Sequence, residues 1–113
     1  LVMGVTFKEN GSDIRNSKVF DVIRELHSFN VETDVIDPYA ATDQVDREYG
    51  VVMKEAPTEA GYDAVIVAVN HQEYVGYDSD SFHRLFKDRD KGFLVDIKGI
   101  YRHLAADLNY WSF

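Results

Sequence analysis

The chain is 113 residues long, 45% apolar and 28% charged, a composition that suits one globular domain with a single core. Its 12 Lys and Arg against 20 Asp and Glu leave a formal charge of −8, which argues against a nucleic-acid backbone or an anionic membrane surface as partner. With no cysteine and no apolar run of membrane-spanning length, it excludes disulfides, thiolate metal sites, a thiol nucleophile and a transmembrane helix.

Residues 1–6 are continuously apolar and predict a short buried strand with Gly4 inside it. The strand runs into Phe7-Lys8 and a polar loop with Gly11, and Asp13-Ile14-Arg15-Asn16-Ser17 then opens a helix predicted over 18–29. Val19, Val22, Ile23 and Leu26 fall on one face of it, Asn16 or Ser17 is expected as its N-cap, and Asn30 as its stop. Residues 31–36, rich in β-branched side chains, predict a second strand closed by Asp37-Pro38, because proline cannot donate to a ladder. A short helix is expected near 43–49, a brief edge strand at 51–53 and a helical turn at 57–61.

The clearest strand is 63–69, whose lack of polar alternation predicts burial on both faces, as in a parallel sheet. A helix over 80–86 places Phe82, Leu85 and Phe86 on one side, and 92–97 is expected as the last strand. The tail 101–113 has a short helical pattern and ends in Tyr110-Trp111-Ser112-Phe113, an aromatic terminus expected to dock on the core or on a neighbouring domain. Residues 1–7 are too short for a signal peptide, and a start at Leu1 rather than Met suggests a piece of a longer protein.

Alternating strands and helices imply an α/β domain, a mostly parallel sheet with helices on both faces joined by right-handed crossovers. Ligands in such sheets bind at the carboxyl ends of the strands, where the strand order reverses. The loops at that rim carry Phe7, Lys8, Asp37, Asn70, His71, Lys98 and Gly99. Lys8 and Arg15 are the foremost candidates for a phosphate or diphosphate, against a solvated lysine and an arginine paired to Asp13. Lys98 is a second phosphate contact or a partner for Asp96. Asp37 ends the second strand, as the ribose-binding acid of dinucleotide folds does, but the G-x-G-x-x-G turn that reading needs is missing; Asp37 is therefore read as a strand terminator. His71 is read as a strand-end hydrogen-bonding residue. No His pair has metal-ligand spacing, and no catalytic apparatus is visible.

Phe7-Lys8, Asp13, Arg15 and Ser17, then Asp37-Pro38, Asp63-Ala64-Val65 and His71, in this order, resemble the C-terminal UDP-binding domain of the UDP-glucose/GDP-mannose dehydrogenase family. Asp96-Ile97-Lys98-Gly99 and the terminal tryptophan look most like the branch that oxidises UDP-N-acetylhexosamines for bacterial capsule and O-antigen synthesis. The resemblance implies a Rossmann-like three-layer sandwich over residues 1–113 and a cytoplasmic parent enzyme. That enzyme would oxidise a sugar C6 alcohol to a carboxylate in two NAD-dependent steps, using a cysteine and a lysine outside this sequence. It implies UDP-sugar contacts at Phe7, Lys8 and Lys98, and a contact from Arg15 to NAD held mainly by an N-terminal domain. A homo-oligomer, a dimer, is expected through a central helical region, with no metal. The fragment alone should be inactive.

Two other readings share the βα alternation. A signalling receiver domain also carries a lysine after its last strand, but it needs an acidic cluster where this chain has Phe7-Lys8. A free-standing nucleotide-binding regulatory module is the other.

Overall fold

Strand β1 (Val2–Met3) lies inside a five-stranded sheet ordered β2-β1-β3-β4-β5, seen in a computed structural model that describes residues 1–113. The partners are β2 (Val35–Ile36), β3 (Ala64–Val67), β4 (Phe93–Asp96) and β5 (Asn109–Ser112), and every pairing is parallel. Between them run α1 (Val19–Ser28), α2 (Thr42–Tyr49), α3 (Gln72–Val75), α4 (Ser79–Leu85) and a 3₁₀ helix (Arg102–Asp107).

Alternation along the strands divides the core in two. Val2, Val5 and Val35 pack with Ile14, Phe20 and Ile23 of the α1 side, Val45 of α2 and Met53. Met3, Ile36, Val65, Val67 and Leu94 face the other way, onto Tyr74, Phe82, Leu85, Tyr101 and Leu104. The result is the expected three-layer α/β sandwich, with an all-parallel sheet. On β3, Val65 and Val67 are fully buried, whereas Ala64 and Ile66 are only partly so, because the α1–α2 layer leaves β4 and β5 thinly covered on that face. Phe93 and Trp111 are exposed there.

Several local expectations are corrected. Strand β1 stops at Met3 because Gly4 turns to φ +94°, where its missing side chain lets the backbone approach Val69. Strand β2 is only two residues long. Residues 51–53 form no strand; Lys54 N–H donates to the Val35 carbonyl at 2.9 Å, but no ladder follows. Helix α1 starts at Val19 with Lys18 at the N-cap position, and Ser17 Oγ only reaches the Val19 N–H at 3.4 Å. Asn30 does end that helix, at φ +61°. The turn at 57–61 is no helix, and α3 was not foreseen. The last strand is β5 and not β4: the tail forms a 3₁₀ helix as expected, then an edge strand in register with β4, Leu94 opposite Tyr110.

The chain leaves β1 toward β2 on one side and returns across it to β3 on the other. The switch point is therefore the crevice above the carboxyl ends of β1 and β3, flanked by the loops 4–18 and 68–71.

Candidate functional site

One carboxylate gathers three strand ends. The Asp37 side chain is fully buried and accepts from the N–H groups of Val5 (2.7 Å), Thr6 (3.3 Å), Tyr39 (2.7 Å) and Ala40 (3.1 Å), and from His71 Nε2 at 2.9 Å. Five donors fill its acceptor capacity, so it has nothing to offer a ribose. The β1–α1 connection has no glycine-rich turn either. The residues of this chain therefore do not form a dinucleotide cradle, and Asp37 acts as the organiser of its strand end.

The loop after β1 is closed at its base by Phe7 N–H to the Asp13 carbonyl at 2.8 Å. Inside it, the Lys8 carbonyl accepts from Gly11 N–H at 3.2 Å and from Thr6 Oγ1 at 3.0 Å. Asn10, at φ +60°, bonds to His71 and Gln72 across the crevice. This packing turns outward the Phe7 ring, 62% exposed, and the exposed Lys8, which has no carboxylate within 4.0 Å.

A second carboxylate plays the same part at β4. Asp96 is buried and accepts from the N–H groups of Gly99 (3.0 Å), Ile100 (3.2 Å) and Tyr101 (2.8 Å) and from the Tyr110 hydroxyl at 2.5 Å. Asp96 is thus not the partner of Lys98, which stays exposed and unpaired. The loops bearing Lys8 and Lys98 rise from strands separated by β3 alone, roughly 10 Å apart.

Arg15 lies farther along, beyond the buried Ile14. It grips Asp13 in a bidentate pair, Nε to Oδ1 at 3.0 Å and Nη2 to Oδ2 at 3.1 Å, with both groups open to solvent. Hydrogen bonds from Arg15 hold the Asp13 carboxyl below its ordinary range, and the same pair raises Arg15. The structure thus sets Phe7, Lys8 and Lys98 on one rim and leaves Arg15 to the side, in an ion pair.

The rim is not purely basic. Glu9 is exposed beside Lys8, and Glu73 of α3 accepts from the Tyr39 hydroxyl at 2.7 Å. That bond and burial raise the Tyr39 phenol. A concavity of about 500 Å³ opens at the opposite end of the sheet among Glu32, Asp34, Asp63 and Lys87. Three carboxylates make it a poor seat for an anion.

His71 is wholly buried and bonded at both ring nitrogens, the structural role expected of it. Tyr39 was missed from sequence, and Asn10 was seen only as a residue of the polar loop motif, without its partners. Asn10-Gly11 was a legible turn signal, but nothing local showed that the turn would reach His71, 61 residues away.

Residues 1–103 match the model of the UDP-glucose/GDP-mannose dehydrogenase family, UDP binding domain. The chain is 37% identical over 108 residues to UDP-N-acetyl-D-glucosamine 6-dehydrogenase of Pseudomonas aeruginosa, covering 96% of this chain and 25% of that protein. It is 40% identical over 108 residues to the enzyme of the same name from Salmonella typhi, again with 96% and 25% covered. A solved structure of the UDP-N-acetyl-mannosamine dehydrogenase Cap5O from S. aureus superposes with a TM-score of 0.69 at 20% identity, over 98% of this chain and 25% of that one, a likeness of fold. The chain thus spans about a quarter of the length of these relatives.

Proposed function

This chain belongs to the UDP-glucose/GDP-mannose dehydrogenase family, and on that premise we propose that it is the UDP-sugar-binding domain of a nucleotide-sugar 6-dehydrogenase. The parent enzyme oxidises the C6 alcohol of a UDP-hexose or UDP-N-acetylhexosamine to the uronic acid, in the cytoplasm, for bacterial surface polysaccharide synthesis. Its NAD-binding and central domains lie outside this chain, and it works as a homo-oligomer, a dimer.

The observation that carries the reading is the pair of unpartnered ammonium groups, Lys8 and Lys98, on the switch-point rim of a domain with a formal charge of −8. A diphosphate wants such point charges, one toward each phosphate. The exposed Phe7 ring beside them offers an apolar face to the base or sugar. The charged pair and the ring bind and orient the substrate, while the rest of the parent protein closes over it and excludes water.

NAD accepts the hydride when bound, and it is held mainly by the N-terminal domain. Arg15 is the residue of this chain assigned to it, an exposed guanidinium that trades part of its bond with Asp13 for the cofactor. No catalytic residue is assigned within this chain, and the chain by itself should show no dehydrogenase activity.

Calorimetric titration of the full-length protein tests the reading. Lys8→Ala should weaken UDP-sugar binding by about 1–3 kcal/mol, the worth of a charged hydrogen bond, and leave NAD affinity unchanged. Lys98→Ala should act in the same direction. Wild-type affinity in both variants would remove the pair from the site.

A further inference from the structure

The imidazole of His71 sits beneath the Phe7–Lys8 loop, with no exposed surface and a protein partner at each nitrogen. Its proton can be assigned from those partners. Asn10 N–H lies 2.9 Å from Nδ1, and a backbone amide only donates, so Nδ1 carries a lone pair. The proton is then on Nε2, which donates to Asp37 Oδ2 at 2.9 Å and lies 3.2 Å from Thr6 Oγ1. Thr6 in turn sends its own proton to the Lys8 carbonyl at 3.0 Å, so its oxygen is free to accept. One arrangement of hydrogens satisfies every member of the network.

That network touches the Lys8 segment on both sides. Through Thr6 it reaches the carbonyl of residue 8, and through Nδ1 it holds the amide of residue 10. A second bond, Gln72 N–H to Asn10 Oδ1 at 2.8 Å, fastens the same turn to the start of α3. The rings of Tyr39 at 4.7 Å and Tyr74 at 5.6 Å box the imidazole in and fix its plane. Asp37, saturated by four backbone amides besides, cannot shift to follow another tautomer. Asn10 is held at φ +60°, a left-handed conformation that asparagine tolerates, and the bonds with His71 and Gln72 meet the turn at that residue.

We infer that His71 is a positioning residue for the nucleotide-sugar site: locked as the Nε2–H tautomer by Asp37, it uses Nδ1 to hold the turn at Asn10, and so presents Phe7 and Lys8 in the geometry that binds the diphosphate. The inference rests on the proposed function for its ligand, but the clamp itself stands independently of what binds.

Two substitutions in the full-length protein separate the two nitrogens. His71→Gln can keep a donor near the Nε2 position and lacks the Nδ1 acceptor; His71→Asn can keep an acceptor oxygen near Nδ1. The Gln variant should raise the UDP-sugar KM about tenfold, the equivalent of one lost hydrogen bond, with kcat and the NAD KM changed by less than about twofold. The Asn variant should recover most of that loss. Hydrogen exchange of the 7–13 segment, measured without any ligand, should speed up in the Gln variant and stay near wild type in the Asn variant. Equal exchange in all three proteins overturns the clamp, whatever the ligand. Faster exchange in the Gln variant with an unchanged UDP-sugar KM keeps the clamp and overturns its role in binding; the Lys8→Ala titration tests the ligand separately. If the variants do not fold, nitrogen-15 spectra of histidine-labelled wild-type protein decide: a bare Nδ1 and a protonated Nε2 on the buried ring support the clamp, and a protonated Nδ1 overturns it.

Discussion

The Tyr110 hydroxyl donates to the Asp96 carboxylate at 2.5 Å, and through it the edge strand β5 fixes the loop that carries Lys98. Asp96 also accepts from three successive backbone amides of that loop. Asp37 likewise accepts from two successive amides, those of Tyr39 and Ala40, in the loop after β2. Two buried carboxylates thus set the rim from within, which leaves the lysines on it free to face outward.

Tyr110→Phe should cost about 1–2 kcal/mol, as expected for one hydrogen bond to a carboxylate with other donors still in place. The urea midpoint of unfolding reads it. Asp96→Asn should cost more, because its amide nitrogen would turn a donor toward N–H groups that need an acceptor. A smaller loss for the asparagine than for the phenylalanine would contradict this picture of the loop.

Gly4→Ala should destabilise by about 3 kcal/mol, through strain at a positive φ and a clash. A Cβ there would stand 2.7 Å from the Val69 Cβ and 3.0 Å from its backbone nitrogen, with φ at +94°. Thermal unfolding measures the loss. A near-neutral result would mean that β1 and β3 can part at the switch point.

Stability should fall on the alkaline side. Burial, followed by the charge of Asp37, raises the Tyr74 phenol; burial and Asp96 raise Tyr101; burial and the bond to Asp96 raise Tyr110. The unfolded chain releases these protons near pH 10, and the folded chain keeps them. The stability they contribute is therefore complete below about pH 10 and declines as the pH rises beyond it. Urea midpoints at about pH 8 and about pH 11 should show the drop, and Tyr101→Phe should flatten it.

Tyr74→Phe should leave the protein as stable as before, or up to about 1 kcal/mol more so. The Tyr74 hydroxyl is buried with no hydrogen-bond partner, although its ring fills the core between His71 and Tyr77. A clear loss of stability would point to a partner for that hydroxyl.

Arg15→Ala should lower NAD affinity or turnover in the full-length protein without a measurable change in its melting temperature. The Asp13 pair it breaks is exposed at the surface, where such pairs contribute little to folding. An unchanged NAD affinity and turnover would withdraw Arg15 from the cofactor.

The amino-acid sequence by itself determined the layer order and the rim. Apolar runs of the right length at 1–6 and 63–69, an amphipathic helix between them, and Pro38 closing the second strand leave few arrangements other than a parallel sheet sandwiched by helices. Phe7, Lys8 and Lys98 could be placed on that rim because their loops follow strand ends directly. The identity of β5 was not, since Asn109–Ser112 has no strand signal of its own and pairs because β4 offers an open edge. Nor could the spacing show that Tyr110 would reach back to Asp96, or that the Asn10 turn hangs on His71. Those partners are brought together only when the sheet closes, because hydrogen bonds between residues 14 to 61 positions apart are set by strand order and register, which no local pattern encodes.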